Sequence, residues 1–389
     1  MFKEKNSRAG SLLVQQSGPD GFSAFIPKKL PPSPPLQYDD ELLELLDNAR
    51  GALGRLDGAT SILPNPDLFL FMYVRKEAVL SSQIEGTQAS LSDLIKYEDV
   101  DMPKSKPDDV QEVSNYVKAM DYAVSRLKTL PLSLRLIREI HAKLLEGTRG
   151  GNKTPGQFRT SQNWIGGTRP SDARFVPPPP QEVIKCMGDL ELFLQDKDLR
   201  MPAMIKAGLA HAQFETIHPF LDGNGRVGRL LITLIFMHEK VLEKPLLYLS
   251  LYFKKYRDEY YERLNATRRD GDWEGWLKFY LRGVNEISLQ AVEAARAILS
   301  LRETHRKQII QLGKAAVSAM QLFDLIFQKP MVTVKMVSRE LQLSPPTARK
   351  AITNLEQFGI LKEISGKQRD RTYLYKQYFD IILRGIEDY

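Results

Sequence analysis

Cysteine is almost absent from this chain: Cys186 is alone among 389 residues, which rules out an intramolecular disulfide and a cysteine-built metal site. No apolar run is long enough to span a bilayer. The N-terminal stretch MFKEKNSRAGSLLVQQSGPDG carries charges and lacks the apolar centre of a secretion signal. The expectation is a cytoplasmic protein with no membrane partner. Cys186, inside EVIKCMGDLELFL, is expected as a buried thiol on a helix. Internal repeats are absent as well.

What is present is helical periodicity. A 42% hydrophobic and 26% charged composition fits a globular chain with a sizeable core. Residues 1–35 have little periodic pattern and end in KKLPPSPPL, which reads as a flexible arm with a polyproline segment. From Asp39 onward, apolar residues recur at three- and four-residue spacing, as in ELLELLDNARGALGRL and LFLFMYVRKEAVLSSQIEG. Nine or ten helices are expected before residue 315. The last of them, beginning WEGWLKFYLRG, is expected to be broken. The Gly- and Pro-rich stretch from Thr148 to Pro180 excludes long helix, and FRTSQNWIGG within it reads as a short hairpin.

The densest polar pattern is HPFLDGNGRVGR, His218 to Arg229. Gly223, Asn224 and Gly225 precede an amphipathic helix with Val227, Leu230, Leu231, Leu234 and Ile235 on one side. Glycine lets backbone N–H groups turn outward, and the first N–H groups of a helix have no internal partner. With the positive end of the helix dipole, they make a seat for an anion. Arg226 and Arg229, three apart, add two guanidinium forks suited to phosphate. Asp222 is a single carboxylate of the kind that completes a Mg²⁺ shell made of phosphate and water oxygens. The ordinary pKa of His218 suits a general base, and Phe220 is expected to anchor the loop in the core. Spacing alone supports an anion-binding helix start and does not name the anion.

The run His-Pro-Phe-x-Asp-Gly-Asn-Gly-Arg-x-x-Arg resembles the signature of the Fic (filamentation induced by cAMP) family, with no departure, and the resemblance extends over roughly residues 40–290. It implies a mainly α fold: a helical bundle with a small β-hairpin flap. It also implies protein adenylylation, the transfer of AMP from ATP to a Ser, Thr or Tyr hydroxyl of a target protein. His218 would be the base and Asp222 would hold Mg²⁺. Gly223 to Gly225, Arg226, Val227, Gly228 and Arg229 would surround the phosphates, with Asn224 and Arg226 on phosphate oxygens and Arg229 on the γ-phosphate. Doc-like kinases carry lysine where this chain has Gly225, so glycine favours adenylyl transfer. Ile165, Gly166 and Gly167 would be the flap tip, along which the target lies by strand addition. Tyr260 and Tyr261 would stand beside the nucleotide base.

A second stretch, SSQIEG, has the form Ser-x-x-x-Glu-Gly from Ser81 through Glu85 to Gly86 and resembles the family's inhibitory helix. The implied brake is Glu85 on Arg229, since an arginine fork held by a carboxylate cannot also hold a γ-phosphate. In some relatives the same glutamate serves removal of AMP, so de-adenylylation is a further expectation. Relatives also form dimers, which makes a homodimer an expected state.

Residues 331–376 hold nine Lys and Arg against four Asp and Glu. Helix, SPP turn, helix and ribbon succeed one another there, the pattern of a winged helix-turn-helix. Arg349 and Lys350 on the second helix and Lys367, Arg369 and Arg371 on the ribbon make DNA an expected partner. The expected organisation is therefore an arm (1–35), an N-terminal helical region (36–130), a catalytic core (131–295), a linker helix (296–315) and a winged helix (316–389). A nucleotide-sensing DNA-binding regulator, or transfer from another donor such as UTP or a choline nucleotide, would use the same phosphate cradle.

Overall fold

A computed structural model describes residues 8–16, 21–61, 66–98 and 107–386. Eleven α-helices precede residue 315 among these residues: α1 Asp40–Ser61, α2 Pro66–Ile84, α3 Leu91–Glu98, α4 Pro107–Arg126, α5 Leu134–Leu144, α6 Pro180–Gln195, α7 Ala203–Ile217, α8 Asn224–His238, α9 Ser250–Lys255, α10 Arg257–Asp270 and α11 Trp273–Ile310. The local causes are visible at α5. The Ser133 hydroxyl accepts from Leu136 N–H as its N-cap, and Leu136, Ile137, Ile140, His141 and Leu144 fall on one buried face.

Helices α7 and α8 form the centre. Every residue of α7 from Met204 to Ile217 is buried, so it shows no one-sided apolar stripe. Most of its polar groups are instead satisfied inside. Lys206 pairs with Glu239 at 2.7 Å, the Gln213 side chain donates to the Lys28 carbonyl, and Thr216 Oγ1 donates to the Ala212 carbonyl. Gly208 sits where a Cβ would meet Leu277 and Tyr280, and Trp276 Nε1 donates to its carbonyl.

Helix α11 is one continuous 38-residue helix, not the broken one expected, so residues 296–310 extend the body rather than forming a separate linker. It has no proline and packs along α1, with Lys278 on Asp39 and Glu41 and Arg282 on Glu41. Within the N-terminal arm, residues 8–35 also differ from expectation. Strands β1 Gly10–Gln16 and β2 Phe22–Pro27 form an antiparallel hairpin. Phe25 N–H bonds the Val176 carbonyl, and Arg8 pairs with Glu274 while donating to the carbonyls of Pro34 and Pro35. Its two buried residues, Ala24 and Phe25, are adjacent, so β2 carries no alternating pattern to read.

The C-terminal unit contains α12 Ala316–Gln328, β3 Met331–Thr333, α13 Val334–Glu340, α14 Pro345–Gln357, β4 Lys362–Glu363, β5 Thr372–Leu374 and α15 Lys376–Leu383. Its strands form one antiparallel sheet in the order β3-β5-β4. Ser344 caps α14 and Pro345 occupies its first position. Arg349, Lys350, Lys367, Arg369 and Arg371 are all exposed. The unit packs on the body: His305 of α11 meets the Tyr375 hydroxyl at 2.8 Å, and Lys76 of α2 donates to the Arg384 carbonyl at 2.8 Å.

Candidate active site

His218 is the C-cap of α7, in the left-handed conformation (φ 48°, ψ 61°) that an L residue adopts only when its surroundings insist. Two buried guanidiniums hold this end of the helix through carbonyls that lack a helical partner. Arg159 donates to the carbonyls of His218, Ile217 and Pro178, and Arg268 donates to the Glu215 carbonyl and to Thr216 Oγ1. Burial lowers the His218 pKa to about 4; Arg268 and Arg159 add to the drop, while Glu85 opposes it. The imidazole is therefore neutral, and a base, throughout the neutral range.

The loop that follows is pinned from below. Phe220 is fully buried and stacks on His141, rings 3.7 Å apart and 6° from parallel. Truncating such a ring costs about 3–5 kcal/mol, enough to release the loop. His141 Nδ1 accepts from Gly156 N–H, so Nε2 carries the proton and donates to the Asp222 carbonyl at 2.9 Å. Asn224 bonds Phe220 at both its N–H and its carbonyl. Its side chain is thus spent on the loop, contrary to the expected phosphate contact. Asp222 is nearly half exposed; one of its oxygens accepts from Gly223 N–H, and Arg226 stands 3.4 Å away.

Gly223 starts α8 in the left-handed region (φ 76°). Behind it the two arginines are buried and each is met by a carboxylate. Arg229 Nη2 lies 2.7 Å from Glu85 Oε1 and also donates to the Ser81 carbonyl, while Nε donates to Ser81 Oγ at 2.9 Å. Desolvation raises the Glu85 pKa, but the Arg229 charge and hydrogen bond outweigh it and hold the carboxyl below its ordinary value. Gly86, just past the end of α2, has φ 99°. A Cβ at Gly225 would stand 2.1 Å from Glu85 Oε1, so the missing side chain is the room the carboxylate uses. Arg226 Nη1 lies 3.2 Å from Glu112 of α4, which also meets Thr87 Oγ1 and Arg149. Val227 and Gly228 do not face the open side. Val227 is in the core, and the Gly228 carbonyl accepts from His211.

The remaining expected residues divide. Ile165 N–H and carbonyl both pair with Phe175 in an isolated antiparallel bridge, so the hairpin joins 165 to 175 and not the two halves of FRTSQNWIGG. Gly166 and Gly167, at φ 70° and 75°, form its exposed turn, where a Cβ on Gly167 would strike Asp172. Tyr260 is a core residue: its hydroxyl bonds His211 Nε2 at 2.9 Å and its ring stacks on Phe253. Helix α10 turns that side chain onto α7. Tyr261 is partly exposed, under the Arg257 guanidinium.

Three buried residues near the site escaped the sequence reading. Glu112 gave no local signal, being 114 positions from Arg226. Glu77 was legible in principle, since Glu77, Ser81 and Glu85 lie four apart along α2 and the turn that ends it. Its carboxyl meets the Tyr116 and Ser250 hydroxyls, and burial pushes its pKa to about 7. Glu215, one turn before His218, is pushed to about 7 by burial, with Glu85 adding and Arg229 and Arg268 opposing.

The α7–α8 loop and the first turns of α8 thus bring together a histidine, a glycine-lined helix start and two buried arginines in a mainly helical domain. Residues 43–125 match the Fic/DOC family N-terminal model and residues 131–236 the Fic/DOC family model. Over these residues the chain is similar to the Fic/DOC family. Among curated relatives, the protein adenylyltransferase Fic of Aedes aegypti is 29% identical over 254 residues, 62% of this chain and 46% of that protein. The protein of the same name from Nematostella vectensis is 29% identical over 281 residues, 70% and 60% of the two chains. The chain thus spans about half the length of these relatives. The crystal structure of a Fic family protein from Desulfovibrio desulfuricans shares the fold, with a TM-score of 0.59, 20% identity and coverage of 87% of this chain and 97% of that one.

Proposed function

We propose that the chain is a protein adenylyltransferase that holds itself off. The observation that carries this reading is the Glu85 carboxylate seated beside Gly225 on Arg229, where the helix start would otherwise receive an anion. The curated relatives are named protein adenylyltransferases, and ATP is the donor that adenylyl transfer implies. In the reaction, His218 Nε2 takes the proton of a target hydroxyl, that oxygen bonds the α-phosphorus, and the bond to the β-phosphate oxygen breaks to release pyrophosphate. Arg226, Arg229 and the first N–H groups of α8 neutralise the phosphates, so catalysis is mostly positioning and fixed charge. Asp222, a lone and half-exposed carboxylate, fits Mg²⁺ held chiefly by phosphate and water oxygens, which would supply charge neutralisation there; among the described residues no three His, Cys, Asp or Glu gather as a full ligand set. The target backbone would lie along the exposed turn at Gly166 and Gly167.

Labelled ATP tests this. Wild-type protein should incorporate little label, Glu85→Gly much more, and Glu85→Gly with His218→Ala none. Equal labelling of all three would overturn the reading.

The C-terminal unit supports a second role. Five exposed cations on α14 and the β4–β5 ribbon, in a winged-helix order of elements, favour a DNA backbone contact. A gel shift that weakens steeply between about 50 and 200 mM salt supports it; a salt-independent shift or none would remove it.

A further inference from the structure

Helix α7 buries its polar side chains with partners, and Glu215 is the exception. Glu215 Oε1 is buried and has no hydrogen-bond partner, and His218 Nδ1 is buried with no well-formed hydrogen bond, only the Glu215 carbonyl lying near enough to raise its pKa. The two side chains face each other across one helical turn, with Nδ1 4.0 Å from Glu215 Oε2. The Glu215 side chain is 8% exposed, whereas that of His218 is 21% exposed. The imidazole therefore turns its Nδ1 edge inward and keeps an outer edge open.

The pocket around the carboxylate is built for it. A Cβ on Gly228 would lie 2.3 Å from Glu215 Oε1, so only glycine on α8 leaves this room. Glu85 and Glu215 thus occupy two notches cut by Gly225 and Gly228, three apart on one helix. Arg268 and Arg159 fix the backbone of this turn through the carbonyls of Glu215, Ile217 and His218. From 4.0 Å, an approach of about 1 Å would bring Nδ1 and the carboxylate to hydrogen-bond distance. The charged and titratable groups facing Glu215 are Arg229 of α8, Arg268 and Tyr260 of α10, and Glu85.

We infer that Glu215 is the positioning carboxylate of His218. It accepts the Nδ1 proton, fixes the tautomer that leaves Nε2 free, and faces the imidazolium formed when the target hydroxyl gives up its proton. The Nδ1 proton stays on the ring, and Glu215 gains none. Departure of Glu85 from Arg229 removes a negative charge that disfavours the ionised form of Glu215, so lifting the brake also readies the base.

This inference rests on His218 being the base, and two readouts keep the two ideas apart. The first is steady-state transfer in the Glu85→Gly protein with and without Glu215→Gln, which preserves shape. The expected result is a kcat lower by about 10- to 100-fold with KM for ATP within about threefold. The rate should also lose its dependence on carboxyl ionisation between pH 5.5 and 8. A loss confined to KM would assign Glu215 to Arg229 instead and overturn the proposal. The second is ¹⁵N resonances of histidine-labelled full chain, with His218→Ala identifying the signal. Glu215→Gln should move the His218 Nδ1 resonance; an unmoved one, in a variant that melts as a folded protein, would also overturn it. If Glu85→Gly transfers no label at all, the adenylyl-transfer reading fails, while the resonance still decides the pair.

Discussion

The two ends of the loop between α7 and α8 treat their charges in opposite ways. At the α8 end, Arg229 is saturated by Glu85 and Ser81, and Arg226 meets Glu112. At the α7 end, Glu215 and His218 are buried side by side with atoms that no partner satisfies. Buried polar atoms are rarely left unmade without a reason, since each costs about 1–3 kcal/mol. The difference teaches which end is occupied and which is waiting. On the proposed reading, the anion seat is filled by the chain's own carboxylate, while the base end is assembled and idle.

The largest expected effect breaks the waiting end. His218→Ala in the Glu85→Gly protein should lower transfer by about 10²- to 10⁴-fold, the usual contribution of a positioned base, while melting and nucleotide binding change little. Single-turnover labelling with titration of a fluorescent ATP analogue separates the two; loss of binding together with rate would mean that the histidine serves the anion seat.

Emptying the occupied end comes next. A charge-assisted hydrogen bond contributes about 1.5–3 kcal/mol, and because the Glu85 side chain is 37% exposed, the low end of that range applies. Glu85→Gly should therefore tighten ATP binding by about tenfold. Ser81→Ala removes one neutral acceptor from Arg229 and should tighten it by about fivefold or less. Isothermal titration checks both. A Ser81→Ala effect as large as that of Glu85→Gly would show that α2 as a whole, and not its carboxylate, closes the seat.

Legibility follows the same division. The anion end could be read because its parts are consecutive: glycines, arginines and the helix they start. Glu85 was reachable through its own spacing from Ser81 and Gly86. Glu112 and Glu215 were not, because a buried glutamate on a helix looks like any surface glutamate until its neighbours are placed. Tyr260 misled for a related reason: α10 presents adjacent tyrosines, and packing on His211 and Phe253 decided which one faces inward. The arm failed through its prolines. They masked a hairpin whose stability comes from distant partners, Val176 and Glu274.

The smallest effect asks whether Glu215 is as strained as its orphaned oxygen implies. Its folded-state pKa, about 7, lies above the ordinary 4.5. The folded protein therefore holds a proton that the unfolded chain releases between these values. That stabilisation is complete below pH 4.5 and is lost as the pH rises through 7. Glu215→Gln has no proton to lose. His141, His211 and His218, depressed to about 4, 3 and 4, act in the opposite direction, with stability lost as the pH falls below about 6.5. They are present in both proteins, as is Glu77, so they largely cancel in the difference. The melting temperature of the variant relative to wild type should thus rise between pH 5 and pH 8, by on the order of 1–3 °C. A difference that stays flat across that range would place the Glu215 ionisation outside it and leave the two ends of the loop electrostatically alike.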